Sequence, residues 1–250
     1  MTYTPSNLQI IIESEPDVVA WSREVAAPFA AFAENAFEQF ATAVTHAQAD
    51  RLLFRGAYSH VRKMAGLAVL SALRQHRVEN ALNLRQVIEG TSLFGYLARH
   101  PEITGGWAKP TATIDDIFKS NDLTRNISFE WIAKEFPELS DDLRFYKDHI
   151  NRNLSHATIL NTTFVFDYRN VETADERFFD VQNEHETCSA LMVTGQVITL
   201  ATIMLFKVSR DSECITLRQG IEPAINGLMK TSLSLRERLL ADYDHPPSAA

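Results

Sequence analysis

The segment Phe145–His156, with the sequence FYKDHINRNLSH, carries the side chains best suited to chemistry. A helix advances about 100° per residue and would gather four of them into a sector of about 60°. They are Phe145, His149, Arg152 and His156. Imidazoles exchange protons near neutral pH, and a guanidinium holds a phosphate or carboxylate through two hydrogen bonds. The pattern predicts acid–base chemistry on an anionic centre, with Arg152, His156 and His149 as catalytic candidates. The alternative is that the segment only completes a helix, with His149 half exposed.

A second candidate site lies at Arg85 and Glu89, one helical turn apart in a segment that is apolar on nearly every face. Charges on a buried helix need partners, because breaking a buried pair costs about 3–5 kcal/mol. Two interpretations stay open: a structural ion pair that joins two helices, or a polar pocket in the bundle centre. If this pair faces the stripe of Arg152 and His156, both would line one pocket. In the ligand-binding interpretation, Tyr146 and Asn153 complete the set.

The sequence contains none of the common catalytic strings. It has no G-x-x-x-x-G-K-[ST], G-x-G-x-x-G, G-x-S-x-G or H-E-x-x-H. The string His185–Cys188 (HETC) resembles half of a metal site, but no second pair follows at ligand spacing. A helix N-terminus with acidic residues in its first turn explains it better. We expect no metal and no cofactor.

Composition restricts the class of protein. With 250 residues, 45% hydrophobic and 22% charged, the chain fits one globular domain. A net charge of −8 excludes a generally basic nucleic-acid binder but allows a local basic pocket. The two cysteines, Cys188 and Cys214, form no disulfide framework, and the N-terminus lacks the basic region of a signal peptide. We therefore expect a cytoplasmic protein.

Apolar periodicity predicts an all-α bundle of long helices with a small β-hairpin insertion. Pro28 should kink or restart the first helix, and residues 101–113 should form a loop. The hairpin is expected at about 163–183, with strands 163–170 and 176–183, and the whole forms one domain over 1–241 with a disordered tail over 242–250. The predicted helices cover 18–49, 51–76, 79–99, 114–119, 126–136, 139–155, 185–209 and 213–241.

One uncharged stretch, Thr187–Phe206, is long enough to cross a bilayer. Its threonines dilute its hydrophobicity, and Gly195, Thr199 and Thr202 form a stripe of small residues suited to close helix packing. We expect a buried core helix and no membrane contact. A single span over 187–206 is the minor alternative.

Three short motifs carry a resemblance to known proteins over about residues 55–160. They are Tyr58–Lys63, the pattern L-R-x-x-x-E at Leu84–Glu89, and Phe145–Lys147 followed by Ser155 and His156. Together they resemble a family of uncharacterised bacterial helical proteins. That family in turn is similar to the HEPN superfamily of helical bundles, which would make about 51–160 an HEPN-like core.

Active HEPN members are metal-independent endoribonucleases whose signature is an arginine, a polar residue, several variable residues and a histidine. Arg152, Asn153 and His156 match those residue types, although His156 follows Arg152 more closely than in that signature. The resemblance implies RNA as substrate and a homodimer in which the two side chains converge on one phosphodiester. Many members are not catalytic. The alternative function is therefore a non-enzymatic helical module that binds a partner protein or a small anionic ligand.

Overall fold

The structure is a computed structural model that describes residues 8–103, 113, 126–153, 166–170, 173–176, 178–180, 183–210, 212 and 214–244. The elements in chain order are α1 (Leu8–Val25), α2 (Ala27–Ala41), β1 (Val44–Ala47), α3 (Leu52–Leu73), α4 (Arg77–Arg99), α5 (126–135), α6 (Pro137–Asn153), β2 (Phe166–Asn170), β3 (Thr173–Glu176), α7 (Glu184–Ser209), β4 (Ile215–Leu217) and α8 (Ile221–Asp244). The predicted all-α bundle with a small hairpin is confirmed. The helix predicted over 114–119 lies outside the described residues.

The first predicted helix is two helices. Ala26 separates α1 from α2, and Pro28 stands in the first turn of α2. There the missing N–H of proline costs nothing, because no carbonyl of the helix would accept from it. The predicted start near residue 18 is wrong, since α1 begins at Leu8 and continues through Pro16.

Helix α7 lies at the centre of the bundle and packs against α2, α3, α4, α6 and α8. Close approach depends on Gly195, because a Cβ added there would lie 2.4 Å from Cε1 of Phe32. The hydroxyls of Thr199 and Thr202 donate to carbonyls of the same helix at 2.7 and 3.0 Å, so their burial leaves no polar atom unsatisfied. The small-residue stripe therefore packs as predicted.

Helix α7 is also the one described helix whose length and composition would allow it to cross a membrane. In this structure 61% of its apolar window is buried against the other helices. This burial favours the core-helix interpretation of 187–206, and the expectation of no membrane contact stays a prediction.

A second two-stranded sheet corrects two predicted helices. Strand β4 pairs antiparallel with β1, with Val44 opposite Leu217 and Ala47 opposite Ile215. The helix predicted over 18–49 therefore stops at Ala41, and the one predicted over 213–241 starts only at Ile221. Both strands are short and rich in β-branched residues, and each is completed only by a partner far away in the sequence. The local sequence of β1 or of β4 by itself therefore does not predict that the two strands pair.

The predicted hairpin exists, but its second strand is displaced. Strand β3 is Thr173–Glu176, which lies mostly in the expected connection, and the described residues 178–180 and 183 of the strand predicted at 176–183 are not in a strand. Phe178 and Phe179 instead pack against the ring of His76, each at 5.4 Å between centroids. Asp180 accepts a 2.6 Å hydrogen bond from the backbone N–H of Arg77. The segment 178–180 therefore caps the N-terminus of α4, where the first backbone N–H groups have no acceptor within the helix.

Helix α8 packs on the bundle through residues that repeat every three and four positions. They are Ile221, Ile225, Leu228, Ser232, Leu235 and Leu239. The helix extends to Asp244 and so enters the predicted tail over 242–250, of which residues 245–250 lie outside the described chain. One face of this helix is thus fully used by the core.

Candidate functional site

The charged pair predicted on α4 is part of a three-residue cluster. Oε1 of Glu89 lies 3.2 Å from Nε of Arg85, one turn earlier, and 3.3 Å from Nζ of Lys147 on α6. The side chains of Glu89 and Lys147 are only 17% and 23% exposed. Lys147 also lies over the ring of Phe129, 4.3 Å from its centroid. Glu89 therefore pairs with Arg85 within α4, and its ion pair with Lys147 joins α4 to α6.

The charge on Glu89 is stabilised by its neighbours. Burial by itself raises the pKa of Glu89, but the positive charges of Lys147 and Arg85 and their hydrogen bonds outweigh it and hold the pKa below its usual value. Glu89 is therefore an anion at neutral pH. It can neutralise a cation, but it cannot donate a proton to a substrate there.

A shallow groove of about 510 Å³ runs along α4 beside this cluster. Its lining residues are Leu82, Asn83, Arg85, Gln86 and Glu89. Nε2 of His60 on α3 lies 3.4 Å from Oε1 of Gln86 and fixes the amide at the edge of the groove. The groove therefore presents two amides and one guanidinium, and the Glu89 carboxylate in the same lining pairs with that guanidinium.

Tyr146 does not reach this groove. Its hydroxyl donates a 2.7 Å hydrogen bond to Oε1 of Gln196 on α7, and Nε2 of Gln196 donates to Oγ of Ser232 on α8 at 3.1 Å. Burial, with a further contribution from the negative charge of Asp142, raises the pKa of Tyr146 to about 12. The chain of hydrogen bonds makes Tyr146 a polar link between three helices, and its hydroxyl stays protonated at neutral pH.

The predicted catalytic stripe lies on the outer surface of α6. His149 and Arg152 are exposed, and Phe145 is 67% exposed. At about 100° per residue, Lys147 and His149 point about 160° apart on the helix. Phe145, His149 and Arg152 therefore lie on the opposite side of α6 from the Glu89 cluster, and these described residues do not form the shared pocket that the sequence allowed. His156 and the side chain of Asn153 lie outside the described residues.

Sequence reasoning missed the role of Lys147. It lies in the same segment as the predicted catalytic residues, but His149 and Arg152 are on the other side of the helix. The spacing from Leu143 to Lys147 and Ile150 could have revealed it, since Leu143 and Ile150 are apolar, and both are fully buried beside it.

The HETC string behaves as predicted. The side chain of Asn183 accepts from the backbone N–H of Glu186 at 2.9 Å, and Glu186 accepts from the N–H of Asn183 at 3.1 Å. This reciprocal pair is a capping box, so His185–Cys188 is the first turn of α7. Among the described residues, no group of three or more histidine, cysteine or acidic side chains could hold a metal ion.

Comparison with known proteins finds no matching family model, no matching curated protein and no matching solved structure.

Proposed function

We propose that this protein is an HEPN-like helical module that binds single-stranded RNA on the outer face of α6 and cleaves it without a metal ion. The observation that carries the proposal is the joint exposure of Phe145, His149 and Arg152 on one side of that helix. The described residues of the three motifs fall on α3, α4 and α6, and α3 and α4 pack directly against each other.

The side chains on this face suit a nucleic acid. An exposed aromatic ring stacks on bases that are not paired, and a neighbouring guanidinium contacts the phosphates. Phe145 and Arg152 provide these two groups within about one sector of the helix. A local site of this kind is compatible with the net charge of −8, since only the nearby charges act on a bound strand.

The proposed cleavage uses the ribose as nucleophile. One imidazole, His156, takes the proton of the 2′-hydroxyl while the 2′-oxygen attacks the adjacent phosphorus. The bond from phosphorus to the 5′-oxygen breaks, and protonated His149 supplies the proton that this leaving oxygen needs. The products are a 2′,3′-cyclic phosphate and a 5′-hydroxyl. Arg152 stabilises the negative charge that builds up on the phosphorane-like transition state.

Incubation of the purified chain with end-labelled single-stranded RNA in EDTA tests the proposal. We expect cleavage by the wild type and a loss of about 100-fold or more in His156→Ala, His149→Ala and Arg152→Ala. His46→Ala is the matched control, because His46 is an exposed histidine on β1, away from α6. Equal cleavage by the wild type and these variants, or no cleavage of several RNAs, would rule out the enzyme.

The second candidate is a non-enzymatic module that binds a small anionic ligand at the α4 groove. The observation in its favour is the open polar groove beside Arg85, with amides from Asn83 and Gln86. Isothermal titration with inorganic phosphate and with a nucleoside monophosphate tests it. Binding that Arg85→Gln abolishes and Arg152→Ala leaves intact supports this function. The reverse result supports the α6 face.

A further inference from the structure

A cavity of about 600 Å³ lies where the N-terminal end of α6 meets α7 and α8. Its inner wall is apolar and is formed by Leu139, Leu200, Ile203, Phe206, Ile225 and Met229. Leu139 and Ile225 are only 5% and 6% exposed, so the wall is continuous with the hydrophobic core. Small-molecule sites are typically apolar cavities of about 300–1,000 Å³ with a few polar groups that fix the orientation of the ligand. The size and the inner wall of this cavity match such a site.

Charged side chains of both signs surround the opening of this cavity. They are Glu135 at the end of α5, Glu138 and Asp142 on α6, Lys207 on α7 and Arg210 directly after α7. All five residues are exposed. Within the described part of the chain, none of the five forms an ion pair. Opposite charges thus line one cavity without neutralising each other.

The two cations are positioned by aromatic rings of the same cavity. Nζ of Lys207 lies 5.6 Å from the centroid of the Phe136 ring, and Cζ of Arg210 lies 5.7 Å from the centroid of the Phe206 ring. The face of a ring attracts a cation without neutralising its charge. Because Phe136 and Phe206 both line the cavity, the two cations are held at its edge. This side of the opening suits a carboxylate.

The acidic side of the opening suits a cation. Burial raises the pKa of Asp142, and the negative charges of Asp141 and Glu138 raise it further. The three carboxylates therefore repel one another when they are ionised. An ammonium group placed beside them would reduce this repulsion and would gain the attraction of several negative charges.

We propose that this cavity binds a small zwitterion with an apolar body, of the class of the free apolar α-amino acids. The ammonium group of the ligand pairs with Glu138 and Asp142. Its carboxylate pairs with Lys207 and Arg210, and its apolar side chain packs against the inner wall. A ligand with one charge would leave one side of the opening without a partner and would meet like charges there. The cavity is at the N-terminal end of α6 and His149 is near the other end, so binding does not depend on RNA cleavage.

Isothermal titration calorimetry of the full-length chain with free phenylalanine, leucine and methionine tests the site. Two analogues of phenylalanine isolate the charges, since phenethylamine lacks the carboxylate and 3-phenylpropionate lacks the ammonium group. We expect the amino acids to bind with millimolar or tighter affinity, and each analogue to bind about 10-fold more weakly than phenylalanine, because it loses one of the two charged contacts.

Variants at the opening locate the site. Lys207→Gln and Asp142→Asn should each weaken binding of the amino acids by about 3–10-fold, because one of the opposing charges is lost. Lys230→Gln is the matched control, because Lys230 is an exposed lysine on α8 that does not line the cavity. It should leave the affinity unchanged.

A variant that fills the cavity tests the apolar wall. Met229→Trp should abolish binding, because Met229 lines the cavity and is 48% exposed, so a larger ring can occupy the space without disturbing the core. Leu240→Trp on the same helix is the control, since Leu240 is 56% exposed and does not line the cavity. Circular dichroism checks that both variants are folded.

Three outcomes overturn the proposal. The first is that none of the three amino acids binds at concentrations up to about 10 mM. The second is that phenethylamine or 3-phenylpropionate binds as tightly as phenylalanine. The third is that Met229→Trp binds the amino acids as the wild type does.

Discussion

Nζ of Lys147 on α6 lies 3.3 Å from Oε1 of Glu89 on α4, and this contact decides how the two candidate sites relate. Because Lys147 points toward α4, His149 must point about 160° away from it, into solvent. The α6 helix thus has an inner side that holds the bundle together and an outer side on which Phe145, His149 and Arg152 are accessible. We assign a structural role to the inner side and the proposed RNA cleavage to the outer side.

The first prediction concerns the Glu89 cluster. Glu89→Gln should lower the free energy of unfolding by about 1–2 kcal/mol at neutral pH, because it removes a largely buried anion that two cations surround. The pKa of Glu89 is lower in the folded state than its ordinary value of 4.5, so its contribution is present above pH 4.5 and disappears as the pH falls through the folded pKa. Urea unfolding at neutral pH and at about pH 3 measures both effects.

A matched control for this prediction is Glu34→Gln. Glu34 pairs with Arg23 at 2.6 Å, but these side chains are 40% and 58% exposed, so water screens the pair. We expect little change in stability and no comparable dependence on pH. An equal loss in both variants would mean that burial of Glu89 is unimportant.

The second prediction concerns the hydrogen bond between Tyr146 and Gln196. Tyr146→Phe should lower the free energy of unfolding by about 1 kcal/mol, because the half-buried Oε1 of Gln196 loses its hydrogen-bond donor. The pKa of Tyr146 is raised by burial and by Asp142 to about 12 from an ordinary 10.0, so its contribution is complete below pH 10.0 and disappears as the pH rises through 12.

Ultraviolet titration of the folded protein checks this value. The difference between the wild type and Tyr146→Phe isolates the one tyrosinate, which should appear near pH 12. A difference spectrum centred at pH 10, or equal stability of the two proteins, would contradict the hydrogen-bonded link.

The third prediction concerns helix packing. Gly195→Ala should destabilise the bundle by about 1–3 kcal/mol, because the added Cβ would lie 2.4 Å from the ring of Phe32 in the core. Gly227→Ala in the exposed part of α8 meets nothing within 4 Å. It should stabilise the protein by about 0.5–1 kcal/mol through helix propensity. Thermal unfolding of both variants measures the contrast, and two changes of the same sign would contradict the packing of α7 on α2.

The fourth prediction concerns RNA binding by α6. Phe145→Ala should weaken binding of a single-stranded oligonucleotide by about 1–3 kcal/mol, because base stacking on the ring is lost. Asp148→Asn should strengthen it, because one negative charge beside His149 is removed. Fluorescence anisotropy at a fixed salt concentration measures both. Phe178→Ala is the control, because Phe178 is 50% exposed near the start of α4 and not on α6.

Local sequence patterns predicted most of the helices. The helix over 185–209 was placed to within a residue of α7, since its long apolar run and its capping residues act within the segment itself. The small residues Gly195, Thr199 and Thr202 predicted close packing for the same reason. Arg85 and Glu89 were recognised because one helical turn separates them.

Tertiary structure alone decided the features that depend on distant residues. The β1–β4 pair joins residues 44–47 to residues 215–217, and a short strand is stable only when its partner is present. Likewise, the residues near Glu89 in the sequence do not indicate that Lys147 is its partner. Folding brings Lys147 into contact with Glu89 from more than fifty positions away. The spacing of apolar residues determines which side of a helix is apolar, because residues three or four positions apart lie on the same face. Which helix covers that side is decided by the packing of the whole chain.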